Sequence, residues 1–340
     1  MTNVDKAVVS VIIPTLDAGP RLRAVVSALM RQSVAPAEII VVDSSSDDGT
    51  AQLAAEIGCR VISIDRRSFN HGLTRNAAAA VAVGDVLVFM TQDAEPAHDR
   101  LIENLILPLK EPLTAAAFAR QITDERAGPI ERFARGFNYP AESRLKCRDD
   151  LESLGIKTFF FSNVCSAIKK DVFIKMGGFP ATIMNEDMAF ACKAVMGGYK
   201  IAYRADSRVI HQHDYSPPEQ FRRYFDIGVS FVENGIVGLV EPGGEGVRFV
   251  KEGLLSVFSP GAWPPESLEA RPPASLGARP PASLPRVLVR FLADAAFRYA
   301  GFFLGLRYRS IPAAMVRRFS MHPFYFERLP DVKRDGGGEK

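Results

Sequence analysis

Cysteine is scarce in this chain: Cys59, Cys147, Cys165 and Cys192 are scattered through 340 residues and form no C-x-x-C pair. That spacing argues against a disulfide framework or a zinc knuckle and suits a reducing cytoplasm. Long apolar runs are missing too. No charge-free stretch reaches about 18 residues, the length of a membrane span. The nearest, Phe291 to Leu306, is interrupted by Asp294 and Arg298. The opening MTNVDKAVVS has no basic start followed by an apolar run, so no signal peptide is expected. Charge of one sign is not in excess: 42 basic against 39 acidic residues leave a net +3. With no basic patch interleaved among the first 230 residues, nucleic acid is not an expected partner. Nor does a G-x-G-x-x-G follow the first apolar run, where Pro14-Thr15 stands instead, which disfavours a dinucleotide dehydrogenase.

What is present reads as a folded α/β protein. Apolar residues make up 47% and charged ones 24%, an ordinary mixture for one large or two medium domains. Val8 to Ile13 is an apolar run, broken only by Ser10 and stopped by Pro14, as a buried parallel strand would be. Ile39–Val42, Arg60–Ile64 and Val86–Met90 are further strands, and helical spacing appears at Arg21–Arg31 and Thr74–Ala82. Strands alternating with helices predict a mostly parallel sheet flanked by helices, with right-handed crossovers. Ligands of such sheets bind beyond the C-terminal strand ends. Those ends here carry Pro14-Thr15, Asp43, Asp65 and Thr91-Gln92-Asp93. Residues 111–225 mix helices with short strands and hold the densest acidic and histidine cluster. Residues 264–286 repeat an eight-residue unit, PPESLEAR, PPASLGAR, PPASLPR, whose paired prolines predict an extended linker. The tail from Arg286 to Arg318 is aromatic, aliphatic and basic, and helical in pattern.

Several residues suggest chemistry, each with a plainer reading beside it. Asp43 would point into the ligand crevice, where a carboxylate accepts hydrogen bonds from a nucleobase or ribose; it would equally serve as a turn or cap residue. Asp93, beside a diphosphate, could hold Mg²⁺ or Mn²⁺, or could simply turn the chain before Pro96. In His71-Gly72-Leu-Thr-Arg75-Asn76, Gly72 would let the chain approach a ligand closely and Arg75 would reach a base or phosphate; a helix cap with a solvated arginine is the alternative. Asn185-Glu186-Asp187 opens a helix, where acids favour the dipole, and where one carboxylate could also take a proton from an attacking hydroxyl. His211 and His213, on one face if the segment is extended, could ligate a metal or contact phosphate.

The order of these blocks is more specific than any one of them. VSVIIPTLDAG, EIIVVDSSSDDGT, TRNAAAAVAVGDVLVFMTQDAEP and GGFP…NEDMAF, in that sequence over residues 8–230, resemble family 2 of the inverting glycosyltransferases. FNHGLTRN, TQDAEP, the run from TFFFSNVCSAIKKDVF through NEDM to HQHDYS…FRRYFDIG, and the tail LGLRYRSIP…FSMHPFYF are similar to the bacterial rhamnosyltransferase branch.

The resemblance implies a GT-A fold. A catalytic domain would span residues 1–230, with 1–110 binding the nucleotide-sugar and 111–230 the acceptor. A mainly helical region would follow at 231–340. It implies that Pro14, Thr15, Asp43, Arg75, Gln92 and Asp93 line the nucleotide-sugar site, with Asp43 at the base. Asp93 falls on the second acid of the family's DxD motif; Thr91 replaces the first, so His213 or His211 would supply a further ligand to a divalent cation. Asp187 would be the general base, and Glu186 an acceptor-contacting or positioning residue. The implied donor is dTDP-L-rhamnose, and the expected acceptor is a glycan or lipid-linked glycan of a bacterial surface polysaccharide. The alternatives are a UDP-sugar hexosyl- or N-acetylhexosaminyltransferase, or a non-catalytic nucleotide-sugar-binding protein. Arg286, Arg290, Arg298, Arg307, Arg309, Arg317 and Arg318, set among apolar residues, would suit the inner face of the cell membrane, the catalytic domain or a second subunit of a homo-oligomer.

Overall fold

In the computed structural model, described for residues 7–213, 215–239, 243–258 and 284–327, the apolar run that meets Pro14 forms the first strand, β1 (Val9–Thr15). Its Val and Ile side chains are buried, as a central parallel strand requires. Gly19, at φ +53, then turns the chain into α1 (Pro20–Met30), with Pro20 in the first turn where its missing N–H costs nothing. The alternation continues through β2 (Glu38–Asp43), α2 (Thr50–Glu56), β3 (Arg60–Ser63), α3 (His71–Val81) and β4 (Val86–Met90). Asn70 caps α3: its side-chain oxygen accepts from the amides of Gly72 and Leu73 at 3.1 and 3.0 Å.

After β4 come β5 (Glu95–Pro96), α4 (Leu101–Ile106), β6 (Thr114–Ile122), α5 (Pro129–Asn138), β7 (Arg144–Lys146) and α6 (Leu151–Leu154). Then follow β8 (Cys165–Lys169), α7 (Lys170–Lys175), α8 (Glu186–Met196) and β9 (Lys200–Ile210). The strands form one sheet in the order β3-β2-β1-β4-β8-β6-β9-β5, with β7 also on β9. From β3 to β4 every ladder is parallel. β8 runs antiparallel to both β4 and β6, and β9 runs parallel to β6. One core, built from β1, β2, β4, α1 and α4 and including Ile13, Leu22, Val41, Val88 and Leu105, lies under the strand ends that carry the site.

The chain divides into two compact units. The first comprises Met1–Ala127, Ala134–Ala181 and Glu186–Gln212, and so holds the sheet; the second comprises Gly128–Phe133, Thr182–Asn185 and His213–Lys340. The second contains α9 (Pro217–Glu233), α10 (Gly243–Phe258), α11 (Leu284–Gly305) and α12 (Ala313–Phe319). Glycines let α9 and α11 touch through their backbones. A Cβ on Gly301 would stand 2.2 Å from the Phe221 carbonyl oxygen, and one on Gly305 would stand 2.1 Å from that of Phe225.

Arg298 departs from the expected basic surface stripe. It is buried, bonded to Asp294 at 2.6 Å and to the Tyr224 hydroxyl at 3.0 Å, and lies over the Tyr224 and Phe249 rings. A buried carboxylate one turn away keeps it from solvent. Among the described residues no helix is long and apolar enough to cross a membrane. The repeat of residues 264–286 lies, but for its last three residues, outside the described residues.

Candidate active site

Parallel pairing brings the last residues of β1 and β2, Thr15 and Asp43, side by side. Both are buried, and the Thr15 hydroxyl donates to Asp43 at 3.2 Å. Asp43 also accepts from the Ser46 hydroxyl at 2.5 Å and the Ser46 amide at 3.0 Å, so it organises its own loop. A carboxylate has about four acceptor positions, which leaves capacity for a ligand. Gln92 clamps the end of β4 to the chain leaving β1: its oxygen accepts from the Leu16 amide at 2.8 Å and its nitrogen donates to the Leu16 carbonyl at 3.0 Å. Pro14 sits half-buried within β1.

A cavity of about 360 Å³ opens at these strand ends, lined by Asp17, Gly19, Arg21, Asp48, Gln92 and Asp93 among others. Arg21 supplies a cation there that sequence reasoning did not single out. Beside the cavity, Asp93 Oδ1 lies 3.5 Å from His211 Nε2. His211 is buried, and its Nδ1 is 2.9 Å from the side-chain oxygen of Gln121. His213 follows His211 after a single residue and opens the last segment of the second unit. Its ring stacks on Tyr215.

The second cluster is built around the start of α8, preceded by Asn185 at φ +58. Glu186 is buried and forms an ion pair with Arg75 at 3.2 Å. Burial alone would raise the Glu186 pKa, but the charges of Arg75 and His71 and a 3.0 Å bond from the Asn163 side chain hold it below the usual carboxylate range. Asp187 keeps part of its surface open. Its oxygens accept from the amides of Asn163 and Met188 at 2.9 and 2.7 Å. Burial, and then the neighbouring charge of Glu186, push its pKa up to about 7. Two adjacent carboxylates are thus driven apart: Glu186 is a fixed anion neutralised by Arg75, and Asp187 is poised to take a proton near neutrality.

Arg75 is therefore not the solvated arginine of a simple cap. It is buried against Glu186, donates to the His71 carbonyl at 2.9 Å, and its Nε has no hydrogen-bond partner among the described residues. Gly72 also differs from expectation. A Cβ there would stand 2.2 Å from the Pro180 carbonyl oxygen, so its missing side chain admits protein backbone. Asn76 completes that junction, accepting from the Phe179 amide at 2.9 Å and donating to its carbonyl at 2.8 Å.

This arrangement matches what similarity finds. Residues 10–177 fit the model of Glycosyl transferase family 2. The O-antigen chain rhamnosyltransferase RfbN of Salmonella typhimurium is 37% identical over 94% of this chain and 96% of its own length. The chain belongs to glycosyltransferase family 2. A second family relative, the O-antigen chain rhamnosyltransferase WbaN of Salmonella anatum, is 35% identical over 94% of this chain and 96% of its own length. Among solved structures, a mannosyltransferase from Pyrobaculum calidifontis in complex with GDP-Man and Mn²⁺ superposes with a TM-score of 0.56. It is 19% identical, covering 88% of this chain and 87% of that one. The fold is GT-A-like, and the protein is a nucleotide-sugar-dependent inverting glycosyltransferase.

In this family 2 enzyme the neutral residues that hold these carboxylates were not singled out from the sequence. Asn163 is the chief of these. It stands in the FSNVCS segment, and its amide is oriented by a 2.8 Å bond from the Ser166 hydroxyl. The one sequence signal available was a Ser-Asn pair breaking an apolar run just before a strand.

Proposed function

We propose that this chain transfers L-rhamnose from dTDP-L-rhamnose to a hydroxyl of a glycan or lipid-linked glycan in bacterial surface polysaccharide synthesis. The observation that carries the donor is the end-to-end similarity to two proteins named as O-antigen chain rhamnosyltransferases. The nucleoside diphosphate would occupy the cavity beyond β1 and β4, with its base toward Thr15 and Asp43. Arg21 and Arg75 are the cations available to its phosphates.

Asp187 is the proton acceptor in this reading. The acceptor hydroxyl gives its proton to Asp187 as its oxygen bonds to the anomeric carbon. The bond from that carbon to the diphosphate breaks on the opposite face. Configuration inverts, so a β-linked donor yields an α-rhamnoside. Asn163 and the Glu186–Arg75 pair hold Asp187 in place. The Asp93 carboxylate and the His211 imidazole, 3.5 Å apart, form a donor pair that fits a divalent cation, Mn²⁺ more readily than the harder Mg²⁺. A cation held there by Asp93 and His211 would offset the charge that develops on the departing diphosphate. The enzyme would work in the cytoplasm at the inner membrane face. Support for that comes from α11, where Leu284, Val289, Leu292 and Tyr299 are exposed alongside Arg286 and Arg290.

Calorimetric titration with dTDP, dTDP-rhamnose, UDP and UDP-glucose, each with and without Mn²⁺, tests the donor. Tight Mn²⁺-dependent binding of the thymidine nucleotides alone is the expected result. Preference for uridine nucleotides would overturn the donor and leave the fold. Asp187→Asn tests the chemistry: turnover should fall by a factor on the order of 10² to 10⁴ with donor affinity unchanged. Undiminished turnover would eliminate Asp187 as the base.

A further inference from the structure

Gln121, on β6, is almost wholly buried, and both ends of its amide are engaged. Its nitrogen donates to the Tyr139 hydroxyl at 2.5 Å and to the Ser162 hydroxyl at 3.0 Å. Its oxygen accepts from a guanidinium nitrogen of Arg135 and lies 2.9 Å from His211 Nδ1. A guanidinium can only donate, so the amide oxygen must be the end that faces Arg135. The same oxygen faces His211 Nδ1, which must then carry hydrogen. In a neutral imidazole this leaves the lone pair on Nε2, and Nε2 points at Asp93 Oδ1, 3.5 Å away. Two acceptors facing each other repel unless a cation lies between them.

We propose that Gln121 is a positioning residue that holds His211 as its Nδ1–H tautomer, so that Nε2 stands beside Asp93 as a ready-made cation ligand. This rests on the divalent-cation reading above and adds to it the residue that fixes the ligand's proton. Arg135 keeps the Gln121 amide from flipping, because a flipped amide would set N–H against N–H. Ser162 extends the arrangement to the proton-accepting side. It adjoins Asn163, whose backbone and side chain hold Asp187 and Glu186. One amide thus braces both the cation-facing imidazole and the segment that holds the base in place.

The test uses the full chain with ¹⁵N-labelled histidine, free of metal, at mildly alkaline pH. His211 is assigned by the signal lost in His211→Asn. The expected spectrum has a protonated Nδ1 and an unprotonated Nε2. Protonation of Nε2 alone, or of both nitrogens, would overturn the proposal. Mn²⁺ alone is then titrated by electron paramagnetic resonance into the wild type, Gln121→Leu and Gln121→Glu, with melting curves recorded for each. Gln121→Leu should bind Mn²⁺ about 10- to 100-fold more weakly, the usual consequence of losing a ligand's outer partner. Gln121→Glu keeps an acceptor for both Arg135 and Nδ1–H and should retain wild-type affinity within a few-fold. Wild-type affinity in a folded Gln121→Leu refutes the positioning role. If Gln121→Leu does not fold, the wild-type spectrum and Gln121→Glu decide: a loss of Mn²⁺ binding of about 10-fold or more in Gln121→Glu would refute it. A wild type that shows the Nδ1–H tautomer but binds no Mn²⁺ would overturn the cation reading, and the purpose assigned to Gln121 with it.

Discussion

Replacing Glu186 with glutamine perturbs the proposed base through charge alone, and the structure fixes the direction. After burial, the Glu186 charge is the largest cause of the raised Asp187 pKa, and Arg75 acts in the opposite sense. At an effective dielectric of about 20, neighbouring unit charges repel by about 3 kcal/mol, or about 2 pH units. Glu186→Gln removes that repulsion while the lowering effect of the buried Arg75 charge persists, so the Asp187 pKa falls from about 7. The active form of the base is the carboxylate. In the wild type, kcat/KM should therefore fall as pH drops through about 7, and in Glu186→Gln the fall should move to lower pH by about 2 units. The plateau should also drop, because a weaker base draws the proton less strongly. Arg75→Gln/Glu186→Gln removes both charges and keeps the burial, so its acid limb should lie between the other two. The assay is the initial rate of nucleoside diphosphate release from the donor in the presence of acceptor. Breaking the buried pair should cost the single variant ~3 kcal/mol of stability, so urea melts must accompany each profile. An acid limb that stays put in both variants would refute Asp187 as the titrating base.

Three other outcomes follow from packing and buried charge. Asp226 is buried, bonded to the Met321 amide at 2.9 Å, with its pKa raised by burial to about 7. A carboxyl whose folded pKa is raised gives stability below its unfolded pKa and loses it as pH rises through about 7. Asp226→Asn, which stays neutral, should therefore gain on the order of 2 kcal/mol relative to wild type well above pH 7 and little in acid, read from denaturant midpoints. Gly72→Ala should cost about 1–3 kcal/mol, measured the same way, because the new Cβ meets the Pro180 backbone and not a movable side chain. Asp294→Ala should cost about 3–5 kcal/mol by stranding the buried Arg298, and Asp294→Ala/Arg298→Met should recover much of it.

The sheet that positions the site was legible because its strands are written locally. Val9–Ile13 (Ser10 apart), Ile39–Val42 and Val86–Met90 are runs of β-branched and large apolar residues closed by Pro14, Asp43 and Thr91. The acids at those closures, and Asp187 at a helix start, could be found because charge at the end of an apolar run is conspicuous. Gln121 and Asn163 could not. They are neutral residues with no conspicuous local pattern, and their partners come from distant elements: Arg135 on α5 and His211 beyond β9 for Gln121, Glu186 and Asp187 on α8 for Asn163. The Arg75–Glu186 pair escaped for a related reason: each residue has a sound local explanation as a helix-start residue, and only packing shows that each neutralises the other. Gly72 was read as admitting a ligand, and Arg298 as part of a stripe for a membrane, the catalytic domain or a second subunit, because a glycine and a basic residue in an apolar helix look the same from sequence whatever they face. The contacts decided both.

The side-chain amides of Gln92 and Asn76 each engage both the N–H and the C=O of one distant residue, Leu16 and Phe179 respectively. Such an amide acts as a polarised key: it has an acceptor at one tip and a donor at the other, and the backbone lock accepts only one insertion. The replacement closest in size is therefore among the worst. A glutamate at 92 or an aspartate at 76 would keep one bond and press a negative oxygen against a carbonyl at the other. Hydrolysis of either amide during storage would do the same without any mutation. Chemical ageing of this enzyme should then register first as a loosening of the strand end above the donor cavity, or of the turn that seats α3, while the sheet beneath stays intact.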